Sequence, residues 1–183
     1  MFGHGAQKLF GWFRGQGPDG TAAVFESWGF RPGKSMVVLA GTCELTAAVL
    51  FLTGAATPLA AAIVMGTMIV ASAPNRPNGL WAHWRGYEVP FVYGALAFAL
   101  AMTGPGSWSV DHAVRADVAS GAPWALAAAA VAVAAAVPAL MLRRAQPPHR
   151  RNGPGNRWWA GAVGSCVAVC VCRSYAGSKV LLG

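Results

Sequence analysis

Residues 35–75 read SMVVLAGTCELTAAVLFLTGAATPLAAAIVMGTMIVASAPN, and Glu44 is the single charge in these 41 positions. A helix needs about 20 apolar residues to cross roughly 30 Å of hydrocarbon, so the run is too long for one span and suits two. The break falls at Thr53-Gly54-Ala55-Ala56-Thr57-Pro58, where Pro58 lacks an amide donor and fits the first turn of a new helix. Spans are therefore predicted at 36–53 and 58–73. The apolar runs are continuous and longer than strands. An outer-membrane barrel would instead alternate in segments of about 10 residues.

Outward from this stretch, a third span is predicted at 89–103, opened by Pro90 and closed by Gly104-Pro105-Gly106. A fourth, 122–142, is rich in Ala and Val and ends at Arg143-Arg144. Its small-residue face over 125–136 suits close packing, either self-association or a larger host complex. A shorter apolar run, 158–172, either spans thinly or lies in the interface with Trp158 and Trp159 as anchors. Before the first span, residues 1–13 read as a partial helix and 21–28 as a helix lying in the interface, capped by Asp19 or Thr21. The stretch 15–20 matches G-x-G-x-x-G, yet it neither follows a strand nor opens a βαβ unit, so a flexible loop is expected there. The fold class is all-α, an integral membrane helical bundle. It divides into a core over 1–115 and a C-terminal extension over 116–183 with one or two more helices.

Composition agrees. Charged residues make up 11% of the 183 and hydrophobic residues 55%, with a mean hydropathy of +0.44. That charged fraction is less than half the roughly 25% of a soluble domain, and the hydrophobicity excludes intrinsic disorder. The net charge of +8 and pI near 10.1 would by themselves suggest a nucleic-acid partner. Their distribution says otherwise. Lys8, Arg14, Arg31, Lys34, Arg76, Arg85, Arg143, Arg144, Arg150, Arg151 and Arg157 all fall in segments 1–35, 74–88 and 143–157, against Arg115, Arg173 and Lys179 on the other side. By the positive-inside rule the first three segments are cytoplasmic. The charge is an orientation signal with an attraction to anionic lipid, and no nucleic acid is implied.

The order of several short pieces is specific. His4-Gly5-Ala6-Gln7-Lys8-Leu9-Phe10-Gly11-Trp12-Phe13, Phe25-Glu26, Gly33, and Ala40-Gly41 with Glu44 are followed by Thr57-Pro58-Leu59-Ala60-Ala61 and Asn78-Gly79-Leu80-Trp81. Gly86-Tyr87-Glu88 and Gly104-Pro105-Gly106 with Ser109-Val110-Asp111 complete the series. Over about residues 2–115 this resembles the DoxX family of small membrane proteins. The resemblance implies a four-helix, multi-pass unit of a bacterial plasma membrane, related to the small subunits of thiosulfate:quinone oxidoreductase. In actinobacterial relatives it implies a membrane component working with sulfur-transfer and oxidative-stress enzymes. The family's first span normally begins well before the His-Gly-x-Gln-Lys motif. Here Met1 stands three residues before His4, so a truncated first helix is expected.

Glu44 is the sharpest candidate residue, because a carboxylate within a span must be protonated, paired, or turned to a polar cavity. One reading is a satisfied interhelical hydrogen bond. The other is a proton-handling or quinone-facing carboxylate. His4 and Lys8, four apart on one helix face, are its expected partners, with Gln7 beside them. A second cluster, Asn78, Trp81, His83, Arg85 and Glu88, lies in the loop 74–88. It reads either as an interfacial aromatic belt with arginines or as donors and ring faces for a quinone head. Cys43 reads as a small packing residue, and Cys166, Cys170 and Cys172 lack a partner pattern. Solvated or capping roles suffice for Asp111 and Asp117. No metal site, haem motif, Fe–S spacing or P-loop is legible.

The expected function is an integral membrane subunit of a quinone-linked oxidoreductase system, sulfur- or oxidative-stress-related, without a redox cofactor of its own and with a quinone as the implied ligand. The alternative is a structural or assembly protein anchoring soluble partners at the cytoplasmic face. Expected partners are membrane lipids and other membrane or cytoplasmic subunits, or a second copy.

Overall fold

The computed structural model describes residues 1–115 and 119–144. The predicted span 158–172, its cysteines, Asp117 and the basic residues beyond Arg144 lie outside the described residues. Those described form helices and turns with no strand, an all-α bundle. The helices are α1 Phe2–Phe10, α2 Gly17–Ser27, α3 Gly33–Thr53, α4 Thr57–Ser72, α5 Glu88–Thr103, α6 Val110–Ala113 and α7 Ala122–Met141. Two short 3₁₀ turns, Arg76–Asn78 and Ala82–Trp84, shape the α4–α5 loop.

Among the described residues three helical stretches are long and apolar enough to cross a bilayer: Gly33–Thr53, Thr57–Asn78 and Ala122–Met141. α5 is apolar but shorter, at 16 residues. Hydrophobic side chains stand outward on each of these, as with Leu52 on α3, Leu59 on α4, Phe91 on α5 and Val131 on α7. On helices of spanning length such an apolar surface suits lipid. α3, α4, α5 and α7 run alternately up and down. Segments 11–32, 73–87 and 142–144 therefore share one end of the bundle, called here the basic end, and 54–56, 104–115 and 119–121 share the other, while α1 lies alongside α3 with Met1 near Phe51.

α4 is the central helix. It packs against α3, α5 and α7 and buries Ala60, Ala61, Ala62, Val64, Met65, Gly66 and Met68. Its neighbour α7 turns Ala125, Ala128, Ala132 and Ala136 inward, a small-residue stripe at helical spacing. At Gly66 a Cβ would stand 3.3 Å from the Ala132 carbonyl oxygen, so the two backbones nearly touch. The face over 125–136, expected from sequence to serve association between molecules, is thus consumed within the chain.

α1 lies antiparallel on α3, and glycine makes the approach possible. A Cβ at Gly5 would fall 2.8 Å from Leu45 Cγ and 2.9 Å from the Gly41 carbonyl oxygen. One at Gly41 would fall 2.7 Å from Leu9 Cγ. Backbone cannot yield as a side chain can, so Gly5→Ala is expected to destabilise the fold by about 1–3 kcal/mol, the usual range for overpacking. Unfolding in mixed micelles would show it, and an unchanged midpoint would mean that α1 does not sit this tightly on α3.

Several sequence expectations shift at helix ends. α1 stops at Phe10 rather than Phe13, because Gly11 takes the left-handed conformation at φ 69°. α2 starts at Gly17, inside the stretch 15–20 read as a flexible loop, since Pro18 fits a first turn. Neither Asp19 nor Thr21 caps it. Asp19 instead pairs with Lys34 at 2.8 Å in the open. Phe25 and Trp28 do share a face, with ring centroids 5.5 Å apart. The end of α7 is tied to the turn after α2: Arg143 Nε donates to the Trp28 carbonyl at 2.7 Å, and Arg144 N–H donates to the Gly29 carbonyl at 3.0 Å. The Arg143 guanidinium also lies 5.7 Å from the Phe30 ring centre.

The opposite end is organised around Asp111, for which a solvated or a capping role was expected, and the capping role is the one observed. Its carboxylate is buried. It accepts from Ala56 N–H at 2.7 Å, Thr57 N–H at 3.0 Å and the Thr57 hydroxyl at 3.1 Å. These are orphan donors at the start of α4, so Asp111 caps that helix from the short α6, itself capped by Ser109 Oγ. Burial acts to raise the Asp111 pKa. The three hydrogen bonds outweigh it and hold the carboxyl below the usual carboxylate range.

Candidate functional site

The approach of α1 and α3 at Gly5 and Gly41 has a chemical result one turn further on. Lys8 Nζ donates to both Glu44 oxygens, at 2.6 and 2.7 Å. Glu44 is 4% exposed, and the Lys8 side chain 20%. An ion pair in this setting is held strongly, because little water is present to screen it. Glu44 sits eleven residues into α3, about 16 Å along the helix, well inside the apolar zone.

His4 lies one turn before Lys8 on the same face of α1, as the i, i+4 spacing predicts. Its ring is within electrostatic reach of Glu44 and Lys8 and is hydrogen-bonded to the Gln7 side chain. The Gln7 amide also donates to the Phe13 carbonyl, at 3.4 Å. On its other side His4 meets Tyr93 of α5 edge-on, with ring centroids 6.4 Å apart. Four of the residues singled out from sequence, His4, Gln7, Lys8 and Glu44, therefore form one group, extended by Tyr93.

Tyr93 opens onto a cleft of about 120 Å³, lined also by Met1, Phe51, Val64, Leu96, Ala97 and Leu100. Among the described residues Tyr93 is the one polar side chain in that lining, and no hydrogen bond among them takes up its hydroxyl. Leu96 and Leu100 are partly outward-facing, so the cleft has a wall on the lipid side. Sequence reasoning passed over Tyr93. The signal was present: a lone tyrosine inside an otherwise apolar span.

The loop candidates are arranged differently. Glu88 turns back to accept from Ala82 N–H at 2.8 Å, and the Asn78 amide donates to the Arg85 carbonyl at 3.1 Å. Trp81, His83 and Trp84 form a ring cluster, His83 lying 6.4 Å from Trp81 and 4.7 Å from Trp84 between centroids. No hydrogen bond, ion pair or ring contact among the described residues joins Asn78, Trp81, His83, Arg85 or Glu88 to Lys8 or Glu44.

Cys43, next to Glu44, is a half-buried free thiol. Among the described residues no three His, Cys, Asp or Glu side chains gather in a way that would hold a metal ion. The model of the DoxX family matches residues 1–84, from α1 to the second 3₁₀ turn. No curated protein and no solved structure matches the chain.

Proposed function

We propose that this chain, which matches the model of the DoxX family of membrane proteins over residues 1–84, is a membrane subunit in a quinone-linked oxidoreductase system, sulfur- or oxidative-stress-related, in a bacterial plasma membrane with its basic end in the cytoplasm. The observation that carries this reading is the buried Lys8–Glu44 pair, connected through His4 and Tyr93 to a lipid-side cleft.

The cleft is apolar apart from Tyr93 and open on the lipid side. At about 120 Å³ it is smaller than the roughly 150 Å³ cavity that holds one benzene ring, so a quinone head would enter it by one edge and keep the rest of its ring in lipid. A bound quinone supplies the two-electron, two-proton acceptor chemistry, with electrons arriving from a partner protein. What the chain's own residues contribute is orientation and protons. Phe51 and Tyr93 offer faces to a ring, and the Tyr93 hydroxyl offers a donor to an oxygen on it. His4 stands between Tyr93 and the ion pair, where a group able to hold or release a proton is useful. Glu44 and Lys8 keep a carboxylate and an ammonium together in hydrocarbon, so a proton moved between them does not change the net charge of the site.

The test uses membranes containing the full-length protein at matched folded levels, with thiosulfate as donor and an added short-chain quinone as acceptor. Glu44→Gln and Tyr93→Phe are each expected to slow quinone reduction by at least tenfold, the low side of a general acid–base contribution. Wild-type rates in both would overturn this reading and favour the structural alternative, in which the chain anchors soluble partners at its basic end.

A further inference from the structure

α5 is a short member of the bundle, as is α4, which however continues through turns and a 3₁₀ helix to Asn78. The 16 residues of α5 rise about 24 Å against roughly 30 Å of hydrocarbon, whereas the 21 residues of α3 and the 20 of α7 reach about 30 Å. At the Asp111 end α5 and α7 are in register, because Gly121 N–H donates to the Ala101 carbonyl at 3.3 Å. The deficit of about 6 Å therefore falls at the basic end. There the α5 side of the α4–α5 loop lies below the level that Arg143 and Arg144 mark at the end of α7.

Non-helical backbone at that depth persists only where its polar groups find partners within the protein. The loop meets this condition. The amides of Gly86, Tyr87 and Glu88 donate to the carbonyls of Trp81, Gly79 and Leu80, at 2.9, 3.2 and 2.8 Å. The Ala82 amide is taken by the Glu88 carboxylate and the Arg85 carbonyl by Asn78. Arg85 itself takes the left-handed conformation, φ 62°, that closes the turn. With these groups used internally, the loop presents Trp81 (52% exposed), Trp84 (64% exposed) and the cations Arg76 and Arg85.

We propose that this loop is a phospholipid-binding anchor set into the headgroup layer, with Trp81 and Trp84 at the acyl–headgroup boundary and Arg76 and Arg85 holding lipid phosphates. Indole rings favour that boundary because one edge is apolar and the other donates a hydrogen bond. Guanidinium groups bind phosphate bidentately and carry their charge at any relevant pH. The depth set by α5 argues for lipid over a soluble protein, which would have to enter the headgroup layer to reach the indoles. The proposal does not depend on the quinone reading.

The test uses the full-length protein in nanodiscs of phosphatidylcholine and phosphatidylglycerol. The emission lost in the double variant Trp81→Phe/Trp84→Phe is obtained by difference from the parent. It is expected to be quenched more strongly by brominated acyl chains than by aqueous iodide. In native mass spectrometry from gentle detergent, Arg76→Gln/Arg85→Gln is expected to lose severalfold in retained phosphatidylglycerol. All four side chains are exposed, so neither variant disturbs the core. Stronger quenching by iodide, or retained lipid in the arginine variant, overturns the proposal. So does a soluble protein that co-purifies with the parent and is lost with these substitutions.

Discussion

Lys8→Met is expected to lower the unfolding free energy by about 3 kcal/mol, the cost typical of leaving one partner of a buried pair behind. Glu44 has both carboxylate oxygens on the Lys8 ammonium, and it is packed under α1 where water does not reach. Without Lys8 the carboxylate must either bind a proton or draw water between α1 and α3, and both work against the glycine-tight packing there. The double variant Lys8→Met/Glu44→Leu is expected to recover most of the loss, because replacing a buried pair by well-packed apolar groups is often neutral or better. Unfolding of the two variants in mixed micelles decides the matter. If Lys8→Met costs no more than the double variant, the pair is not desolvated in the way the geometry indicates. The same double variant separates stability from function: folded and stable, it is nonetheless expected to fail in quinone reduction.

Asp111→Ala is expected to be comparably damaging, also about 3 kcal/mol, since it strands the amides of Ala56 and Thr57 at roughly 1–3 kcal/mol each. Asn is a poor substitute, because its amide nitrogen would face one of the two donors. The effect depends on pH in a definite direction. Hydrogen bonds hold the Asp111 carboxyl below the usual range in the folded protein, while the unfolded value is about 3.9. The stabilisation is therefore complete above the unfolded value and is lost as pH falls through the folded one. Parent and Asp111→Ala should differ by a constant amount from neutral pH down to about pH 5 and converge below about pH 4. A difference that does not change with acidity would mean that the carboxylate form is not the one that caps α4.

The helices that cross were legible because lipid imposes a coarse rule: long apolar runs, broken by Gly and Pro. The Lys8–Glu44 meeting was legible for a related reason. Few charges lie in or beside the spans, and the i, i+4 spacing of His4 and Lys8 points both toward a single carboxylate. What sequence did not show depends on contacts between distant residues. Asp111 acts on Thr57 from 54 positions away, and nothing local distinguishes a capping aspartate from a solvated one. The inward turn of the alanine stripe on α7 required knowing which neighbour it faces. That Glu88 and Asn78 fold back onto their own loop backbone is a matter of turn conformation at residues 85 and 86. Composition says nothing about that.

The close contact of α4 with α7 bears on modularity. The family match ends at residue 84, yet the buried face of α4 is completed by α5 and by the alanine stripe of α7, both beyond that point. A fragment cut at the family boundary would leave Gly66 and its neighbours bare, facing lipid with a groove shaped for another helix. The segment that matches the family and the cooperative unit are therefore not the same object. The first can be traced by sequence through residue 84, while the second assembles only after α7 has entered the membrane.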